Sequence, residues 1–289
     1  MTTTTIPEVS FKEILVASDL SDASTNAIGY AKAIARHYGS HIVLAHVSDP
    51  AAPIAIPEGG WIQETANQIE EQMQAAGLSL RAEGLPADAV NTYGSIRQEI
   101  EALADEYQTD LIVLGTHGRR GLKRVLFGSE AEGLLRRTSR PVLTVGPAAA
   151  PPPKEAWAPK NILCATSLNP RAAQVVAYAY KLAKGLGASF ELLSVDDPKH
   201  PADADLNWRT FEDALAEALP EELAKGQIRS LISGKSPADN IVDVAKAVKS
   251  DLIVMGARTT HFASTHMPAG VLAQVLADAP CPVLTLAIE

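Results

Sequence analysis

The chain has 289 residues, of which 46% are hydrophobic and 20% charged, and its net charge is −9. That length and apolar content suffice for two domains that each bury a core of their own. The acidic balance argues against nucleic acid as a partner. No apolar run is long enough to cross a membrane, and residues 1–5 lack the charged and apolar regions of a signal peptide, so we expect a cytoplasmic protein with no membrane partner. The two cysteines, Cys164 and Cys281, have no CxxC spacing and are expected to be buried free thiols.

Apolar runs and helical stripes alternate along the first half of the chain. A stripe of Ala27, Ala31, Ile34 and Ala35 at helical spacing predicts the first helix, and Gly39 is placed to end it as a C-cap. The strands predicted in this half are 13–18, 41–47, 89–93, 110–114 and 141–145, and the helices are 22–38, 62–82, 96–107 and 129–137. Each predicted strand except the last is therefore followed by a predicted helix.

The second half repeats this alternation. Its predicted strands are 161–165, 189–195, 228–232, 251–255 and 282–286, and its predicted helices are 172–184, 205–219, 238–248 and 271–276. Strands that are apolar throughout and separated by helices are typical of a parallel sheet covered on both faces. The predicted fold class is therefore α/β, with two repeated, doubly wound domains that each have a parallel five-stranded sheet of the Rossmann-like type, in the strand order 3-2-1-4-5.

The chain contains an internal duplication. Residues 14–49 align without gaps on residues 162–197 with 11 identities in 36 positions, and residues 110–145 align on 251–286 with 10 identities in 36. A repeat of about 140 residues has the size of a domain and is too long for a solenoid unit. The segment 148–153, Ala-Ala-Ala-Pro-Pro-Pro, is typical of a stiff spacer. We therefore predict domains at 1–147 and 158–289, joined by an Ala/Pro linker at 148–157.

A glycine-rich segment follows the predicted fourth strand. Gly115 and Gly118 open the loop, and Gly128 and Ser129 stand where the next helix begins. Glycine has no Cβ and tolerates a positive φ, so backbone N–H groups can surround phosphate oxygens there, and the helix dipole favours the same anion. The region also contains seven cations, Arg119, Arg120, Lys123, Arg124, Arg136, Arg137 and Arg140. The pattern predicts a nucleotide phosphate site; the alternative for the cations is a solvated helix face.

Topology predicts a ligand site at the same place. In an open parallel sheet, ligands bind beyond the carboxyl ends of the strands, where the strand order reverses. In the order 3-2-1-4-5 that reversal lies between the first and fourth strands, so the loop at Ala17, Ser18 and Asp19 lies near the loop that begins at Gly115. The argument from glycine and the argument from topology therefore lead to one site.

Together these features resemble the universal stress protein family in its tandem form, which has two such domains in one chain. The resemblance depends on Asp19 after the first strand, on His46-Val47, on the spacing Gly-x2-Gly-x9-Gly-Ser that starts at Gly115, and on the Pro-Val-Leu run at 141–143. It covers nearly the whole chain. In that family the glycine pattern marks the members that bind ATP, so the resemblance implies ATP, with or without Mg²⁺, as the ligand.

The resemblance also implies which residues contact the nucleotide. Ala17, Ser18, Asp19 and the strand-end Val47 would line the adenine and ribose. The ribose and phosphates would be surrounded by Gly115, Thr116, Gly118, Gly128, Ser129 and Glu130. Arg119, from the cation cluster, is a further candidate contact of the phosphates. Glu130 stands where the family more often has a small or β-branched residue, and its charge would oppose a triphosphate. No catalytic residue and no metal ligand is predicted.

Several of these residues also have a structural interpretation. Gly115 can serve as a tight exit from the strand, and the second half keeps a glycine there, Gly256. Ser129 and Glu132 have the spacing of a capping box. Asp19, close to a helix start, can be a partner of the helix dipole and nothing more. A capped helix still presents N–H groups to a ligand, so the structural and functional interpretations of Ser129 are compatible.

The aligned positions of the second half lack the loop chemistry of the first. Asp19, Gly118, Gly128 and Ser129 are replaced by Ser167, Thr259, Ala269 and Gly270, respectively. We therefore predict ATP in the first domain only, with the second domain as a structural or interaction half. The alternative is a different ligand in a remodelled pocket that uses Arg258, His261, Phe262 and His266.

The role that the resemblance implies is that of a nucleotide-dependent sensor or scaffold in the stress response. Two other functions stay open. A slow ATPase or phosphotransferase would need a catalytic base and paired carboxylates for Mg²⁺, and Asp19 is the one nearby carboxylate that we nominate for such a role. An interaction scaffold that binds no nucleotide would need both sites to be vestigial.

The last strand of each half is a predicted sheet edge. The runs 142–145 and 283–286 are apolar and carry no charge, and an edge of that kind rarely stays unpaired. In the family that the chain resembles, these edges pair antiparallel between subunits. We therefore expect an internal pseudo-dimer through the last strands, and a homodimer of tandem chains as a further assembly.

Overall fold

The computed structural model describes residues 9–48, 62–116, 133–135, 137–166, 170–195, 204–218, 228–231, 236–258 and 270–288. Contacts divide the chain into two compact units. The first unit contains Phe11–Leu134 and Pro151–Trp157, and the second contains Met1–Ser10, Leu135–Ala150 and Ala158–Glu289. Residues 148–150 of the predicted linker thus belong to the second unit and residues 151–157 to the first.

The first unit holds a parallel sheet whose strands are connected by helices. Its elements are β1 (Glu13–Ala17), α1 (Asp22–Tyr38), β2 (His41–Ser48), α2 (Ile62–Ala82), β3 (Ala87–Tyr93), α3 (Ile96–Glu106) and β4 (Leu111–Gly115). The strand order is β3-β2-β1-β4, and the three pairings are parallel. Ile14, Leu15 and Val16 of β1 are fully buried, as expected of a strand in a parallel sheet that is covered on both faces.

The second unit holds the second repeat together with the last strand of the first repeat. Its elements are β5 (Val142–Val145), β6 (Asn161–Thr166), α4 (Ala173–Leu186), β7 (Ser189–Val195), α5 (Ala204–Ala218), β8 (Ile228–Leu231), α6 (Pro237–Ala247), β9 (Leu252–Arg258), α7 (Val271–Asp278) and β10 (Val283–Ile288). In the order β5-β10-β9-β6-β7-β8, β5 runs antiparallel to β10 and the other pairings are parallel. The second repeat therefore has the strand order 3-2-1-4-5, and the α/β fold predicted from the sequence is confirmed.

Repeats and contact units divide the chain differently. By sequence, β5 closes the first repeat, yet it lies in the second unit, where Val142, Leu143 and Thr144 pair with Thr285, Leu284 and Val283. Residues 133–135 and 137 are helical, and the rest of the predicted helix 129–137 lies outside the described residues. The domain limits 1–147 and 158–289 stay a prediction.

Helix α1 has the ends and the buried stripe that its sequence predicts. The stripe residues Ala27, Ala31, Ile34 and Ala35 are buried. Gly39 adopts a φ of 67° and a ψ of 40°, the left-handed conformation that favours glycine, and its N–H donates to the carbonyl oxygen of Ala35. At the other end, the Ser21 side chain accepts a hydrogen bond from the N–H of Ser24. Local sequence therefore determines where this helix begins and ends.

An aspartate that the two repeats share holds the amino end of a neighbouring strand. The carboxylate of Asp110 accepts hydrogen bonds from the backbone N–H groups of Lys12 (2.7 Å) and Glu13 (3.3 Å) at the start of β1. Asp251, at the aligned position, accepts the equivalent bonds at 2.8 and 3.0 Å at the start of β6. Burial raises the pKa of Asp110 above its ordinary value, while the backbone donors act in the opposite direction. The identity of the repeats at this position thus has a structural cause.

Candidate functional site

The carboxyl ends of β1 and β4 lie at one edge of the first sheet. β1 pairs with β2 on one side, with Ala17 opposite Ala45, and with β4 on the other side, with Ala17 opposite Leu114. Because the three strands are parallel, the chain leaves β1 and β4 at the same edge. The next strand in sequence after β1 lies on one side of it and β4 lies on the other, so the strand order reverses at this point. Such a reversal opens a crevice in which ligands bind.

The structure brings six of the predicted contact residues to this edge. Ala17 ends β1 and Gly115 ends β4, and the residues that follow them, Ser18 and Thr116, are buried. Asp19 is exposed. Val47 lies near the carboxyl end of β2, opposite Thr92 of β3. The other predicted contacts lie outside the described residues: Gly118, Arg119, Gly128, Ser129 and Glu130.

The loop after β1 is held by hydrogen bonds among its own side chains. The Oδ1 atom of Asp19 accepts from the Ser21 N–H (3.1 Å), the Ser21 hydroxyl (2.5 Å) and the Ser24 hydroxyl. The Oγ atom of Ser24 accepts in turn from the Asp19 N–H (3.0 Å). Ser18 Oγ accepts from the N–H of Leu20 (3.1 Å), whose φ of 61° lies in the left-handed region. These bonds fix the backbone of the loop at the edge where the strand order reverses.

These contacts give Asp19 a structural role at the start of α1. A negative charge there is stabilised by the positive end of the helix dipole. The Oδ1 atom already accepts three hydrogen bonds from Ser21 and Ser24, so its lone pairs are engaged within the protein. The structural interpretation of Asp19 is therefore observed, and this oxygen is a poor base.

His46 holds the same loop from β2. Its Nδ1 atom lies 2.9 Å from the carbonyl oxygen of Ser18, and since a carbonyl oxygen accepts but does not donate, Nδ1 carries the proton. The N–H of Ser18 donates to the carbonyl oxygen of Ala45 (2.9 Å), so both polar backbone groups of Ser18 are bonded to β2. In the sequence His46 is part of a family pattern without a role of its own. The available signal was a polar residue directly after a buried strand run.

The end of β3 and the loop that follows it reach the same edge, and sequence reasoning missed their residues. The Thr92 hydroxyl donates to Glu99 Oε2 (2.8 Å), and a Cβ atom on Gly94 would lie 2.7 Å from Glu99 Oε1. The carboxylate of Glu99 therefore packs tightly over the loop backbone. Tyr93, between Thr92 and Gly94, is 60% exposed and presents an aromatic ring to solvent. A polar residue one turn into a helix, after a glycine, was the sequence signal for Glu99.

The described residues offer neither a metal centre nor a reactive thiol. Across the described ranges, no three His, Cys, Asp or Glu side chains are grouped so that they could hold a metal ion. Both cysteines are free and buried, as predicted, and burial raises the pKa of the Cys164 and Cys281 thiols to about 12. Such thiols stay protonated near neutral pH and are poor nucleophiles. No described helix combines the length and apolar character that a bilayer span requires.

The second repeat has an edge of the same topology. β6 lies between β7 and β9, and all three strands are parallel. Gly270, aligned with Ser129, precedes α7 and provides no side-chain hydrogen bond to it. Arg258 ends β9. The other positions considered for this repeat lie outside the described residues: Ser167, Thr259, His261, Phe262, His266 and Ala269.

The chain matches one protein family along most of its length. The model of the universal stress protein family matches residues 10–146 and again residues 159–286. A universal stress protein of Methanocaldococcus jannaschii is 30% identical over 146 residues, and the match covers 47% of this chain and 82% of that protein. Universal stress protein A homolog 1 of Coxiella burnetii is 32% identical over 143 residues, which covers 47% of this chain and 96% of that protein. Each of these relatives therefore spans about one repeat.

A solved structure resembles the chain over both repeats. The crystal structure of a universal stress protein from Archaeoglobus fulgidus covers 96% of this chain and 98% of its own, with a TM-score of 0.70 and 19% sequence identity. At that identity the likeness shows the fold alone. Because the family model matches each repeat separately, the chain belongs to the universal stress protein family, as a tandem member with two such domains.

Proposed function

We propose that the chain binds ATP at the carboxyl edge of β1 and β4 and acts as a nucleotide-dependent sensor or scaffold in the stress response. The observation that carries the proposal is the position of β1 between two parallel neighbours, which makes this edge a switch point. The glycine spacing from Gly115 to Ser129, which is typical of ATP-binding members of the family, begins at that point.

The residues at the strand ends would bind the nucleoside. Ala17, Ser18, Asp19 and Val47 would together line the adenine and ribose. The loop that carries Ser18 and Asp19 is already held by His46 and by its own hydrogen bonds. These bonds order the loop in part before a ligand binds, which lowers the entropic cost of binding, and the bound nucleotide would complete that order.

The glycine segment would bind the phosphates. Thr116 and the backbone at Gly118 and Gly128 would donate to phosphate oxygens, and the helix that starts at Ser129 would direct its positive dipole end at them. Arg119 and the neighbouring cations would add an electrostatic attraction, which Glu130 would oppose. Mg²⁺ would be bound together with the phosphates, as is usual for nucleotide sites.

We further propose one nucleotide per chain, with the second repeat as a structural or interaction half. The chain would act in the cytoplasm. Its last strands would form the contact of an internal pseudo-dimer, and tandem chains would assemble further as homodimers. The support for the first of these statements is the replacement of Gly118 and Gly128 by Thr259 and Ala269 in the second repeat.

Titration calorimetry with ATP tests the site. We expect one ATP per chain, and no binding to Gly118→Val or Gly128→Val, because a side chain there blocks the approach of the backbone to the phosphates. The thermal unfolding curves of both variants should stay close to that of the wild type. The matched control is Ala269→Val, at the position aligned with Gly128, which should bind ATP like the wild type. Two sites per chain, or wild-type affinity in both glycine variants, would contradict the proposal.

Mass spectrometry of the nucleotide that copurifies with the protein separates the sensor from the other functions. Intact ATP supports the sensor, ADP supports a slow ATPase or phosphotransferase, and the absence of any nucleotide supports a scaffold that binds none.

ATP should also bind more tightly than adenosine at low salt. This difference in affinity should shrink as salt screens Arg119 and its neighbours, with a Debye length of about 8 Å at physiological ionic strength.

A further inference from the structure

Residues 151–157, within the predicted linker, pack against helix α1. The ring of Pro152 lies directly over Gly29: a Cβ atom added to Gly29 would overlap the proline ring and would lie 2.8 Å from the Pro152 Cβ. A flexible side-chain end could move aside, but a proline ring cannot do so without moving its backbone. Glycine is therefore the residue that allows the chain to approach the helix this closely.

Two further contacts lie on the same face of the helix as Gly29. The N–H of Trp157 donates to the Ala33 carbonyl oxygen (2.8 Å), and Trp157 is 2% exposed. The Arg36 guanidinium donates to the Lys154 carbonyl oxygen (3.2 Å) and to the Glu83 carboxylate (2.6 Å). Positions 29, 33 and 36 are four and three residues apart, so they share one helix face. Segment 151–157, here named the strap, is thus a docked element of the first unit, where the sequence predicts a spacer.

Gly29 lowers the stability of its own helix. Glycine in a helix interior is less favourable than alanine, and Gly29 lies well inside α1. In the second repeat the aligned residue is Ala177 of α4. The first repeat therefore has the poorer helix former at the position on which Pro152 of the strap packs, and this contact accounts for the glycine.

Helix α1 connects the strap to the candidate nucleotide site. At the start of the helix, Ser21 and Ser24 hydrogen-bond the Asp19 carboxylate. The first strap contact, at Gly29, is five residues beyond Ser24, which is about 8 Å along the axis at 1.5 Å per residue. A ligand that orders the Asp19 loop holds the start of the helix, and the docked strap holds its middle. Each event therefore reduces the freedom of the element on which the other depends.

We propose that docking of the strap on α1 and nucleotide binding at the Asp19 loop favour one another. The proposal rests on the proposed function, because it needs a nucleotide at that loop. The occupied site keeps residues 151–157 on the helix, and the empty site releases them more often. Trp157 is four residues before Asn161, where β6 begins. Whether the segment that leads into the second repeat is docked or released therefore depends on whether the first repeat has bound its ligand.

Linkage makes the proposal quantitative. If bound ATP lowers the equilibrium constant for opening of the strap by some factor, then loss of the docked strap must lower the affinity for ATP by the same factor. The amide of Trp157 reads the docked state, because it is bonded to Ala33 while the strap is docked. In the full-length wild type, we expect saturating ATP to slow hydrogen exchange in a peptide that contains Trp157 about five- to tenfold, a typical allosteric coupling.

Two variants and a control complete the experiment. In the absence of ATP, Gly29→Ala should remove the protection of the Trp157 amide from hydrogen exchange. Calorimetry should show that the variant binds ATP more weakly, by the same factor by which ATP slows Trp157 exchange in the wild type. Pro152→Gly leaves the sequence of α1 intact and should have the same two effects, which excludes damage to the helix as their cause. The matched control is Gly185→Ala, a helix glycine whose added Cβ would meet no atom within 4 Å; both measurements should stay at wild-type values.

The outcomes distinguish this proposal from the proposed function. A wild type that binds ATP without any change in Trp157 exchange overturns the coupling alone. The coupling is also overturned if Gly29→Ala and Pro152→Gly lose the protection and still bind ATP with wild-type affinity. A wild type that binds no ATP refutes the proposed function and the coupling together, while exchange in the two variants still reports whether the strap is docked.

Discussion

At the scale of single residues, equivalent positions of the two repeats have different surroundings. The hydroxyl of Thr285 on β10 donates to the Val142 carbonyl oxygen (3.2 Å). Thr144 on β5, aligned with Thr285, is fully buried, and its Oγ1 atom has no hydrogen-bond partner within the described part of the chain. A buried hydroxyl without a partner costs free energy, whereas a bonded one contributes to stability.

Replacement by valine, which has nearly the same shape, should therefore affect the two threonines differently. Thr285→Val should lower the free energy of unfolding by about 1 kcal/mol. Thr144→Val should leave it unchanged or raise it. Urea unfolding followed by circular dichroism measures both, and each variant is the control for the other. An equal loss in the two variants would mean that the Thr144 hydroxyl is hydrogen-bonded in solution.

At the scale of elements, α1 is fastened by charged side chains as well as by its buried stripe. Glu83, just after α2, accepts from Lys32 (2.5 Å) and from Arg36 (2.6 Å) of α1. The hydrogen bond from Lys32 and the charges of Lys32 and Arg36 hold the pKa of Glu83 below its ordinary value, against the opposing effect of burial. Because Arg36 also binds the strap, Glu83 helps to position the side chain on which the strap rests.

The ion pairs of Glu83 with Lys32 and Arg36 should make the effect of Glu83→Gln on stability depend on pH. Since the pKa of Glu83 is lower in the folded than in the unfolded chain, its ion pairs stabilise the fold above the ordinary glutamate pKa of about 4.3, and this contribution is lost as the pH falls through the folded value. The three side chains are partly exposed, so we expect the variant to be less stable by about 0.5 kcal/mol at pH 7. Urea unfolding at pH 7 and at pH 3 measures the difference in free energy of unfolding between the wild type and the variant. If this difference is the same at both pH values, the ion pairs of Glu83 are not its cause.

At the scale of the whole molecule, the first repeat supplies part of the second unit. β5 pairs with β10, and the N–H of Ala150 donates to the Pro280 carbonyl oxygen (2.9 Å). A Cβ atom on Gly146 would overlap the carbonyl oxygen of Leu276, which is backbone and cannot move aside on its own. Residues 142–150 are therefore built into the packing of the second repeat.

Gly146→Ala, a change in the first repeat, should therefore destabilise the second unit. We expect a loss of about 1–3 kcal/mol, the usual cost of overpacking. Hydrogen exchange of the β10 amides measures this loss where it arises, and Gly185→Ala, whose Cβ meets open space, should show no loss. Unchanged exchange in β10 of Gly146→Ala would mean that residues 142–150 are not part of this unit in solution.

The strand ends at the candidate site were predictable from the sequence, and the hydrogen bonds there were not. The predicted strand order brings Ala17, Ser18 and Gly115 to one edge, and the observed strand pairings do the same. The hydrogen bonds that hold the loop depend on side-chain rotamers at Ser24 and His46, which no spacing in the sequence specifies. The nucleotide contacts themselves stay a prediction.

The sequence by itself determined the two repeats, the alternation of strands and helices, the cap at Gly39 and the family. Each of these follows from local features: apolar period, the φ that glycine allows, and repeated identities. The tertiary structure alone decided that residues 146–150 join the second unit and that the strap lies on Gly29. Those contacts join distant residues, such as Arg36 and Lys154, which are 118 positions apart. Composition tells where a chain stiffens or becomes apolar, but the surface that such a segment meets is selected by packing among many surfaces that would bury it.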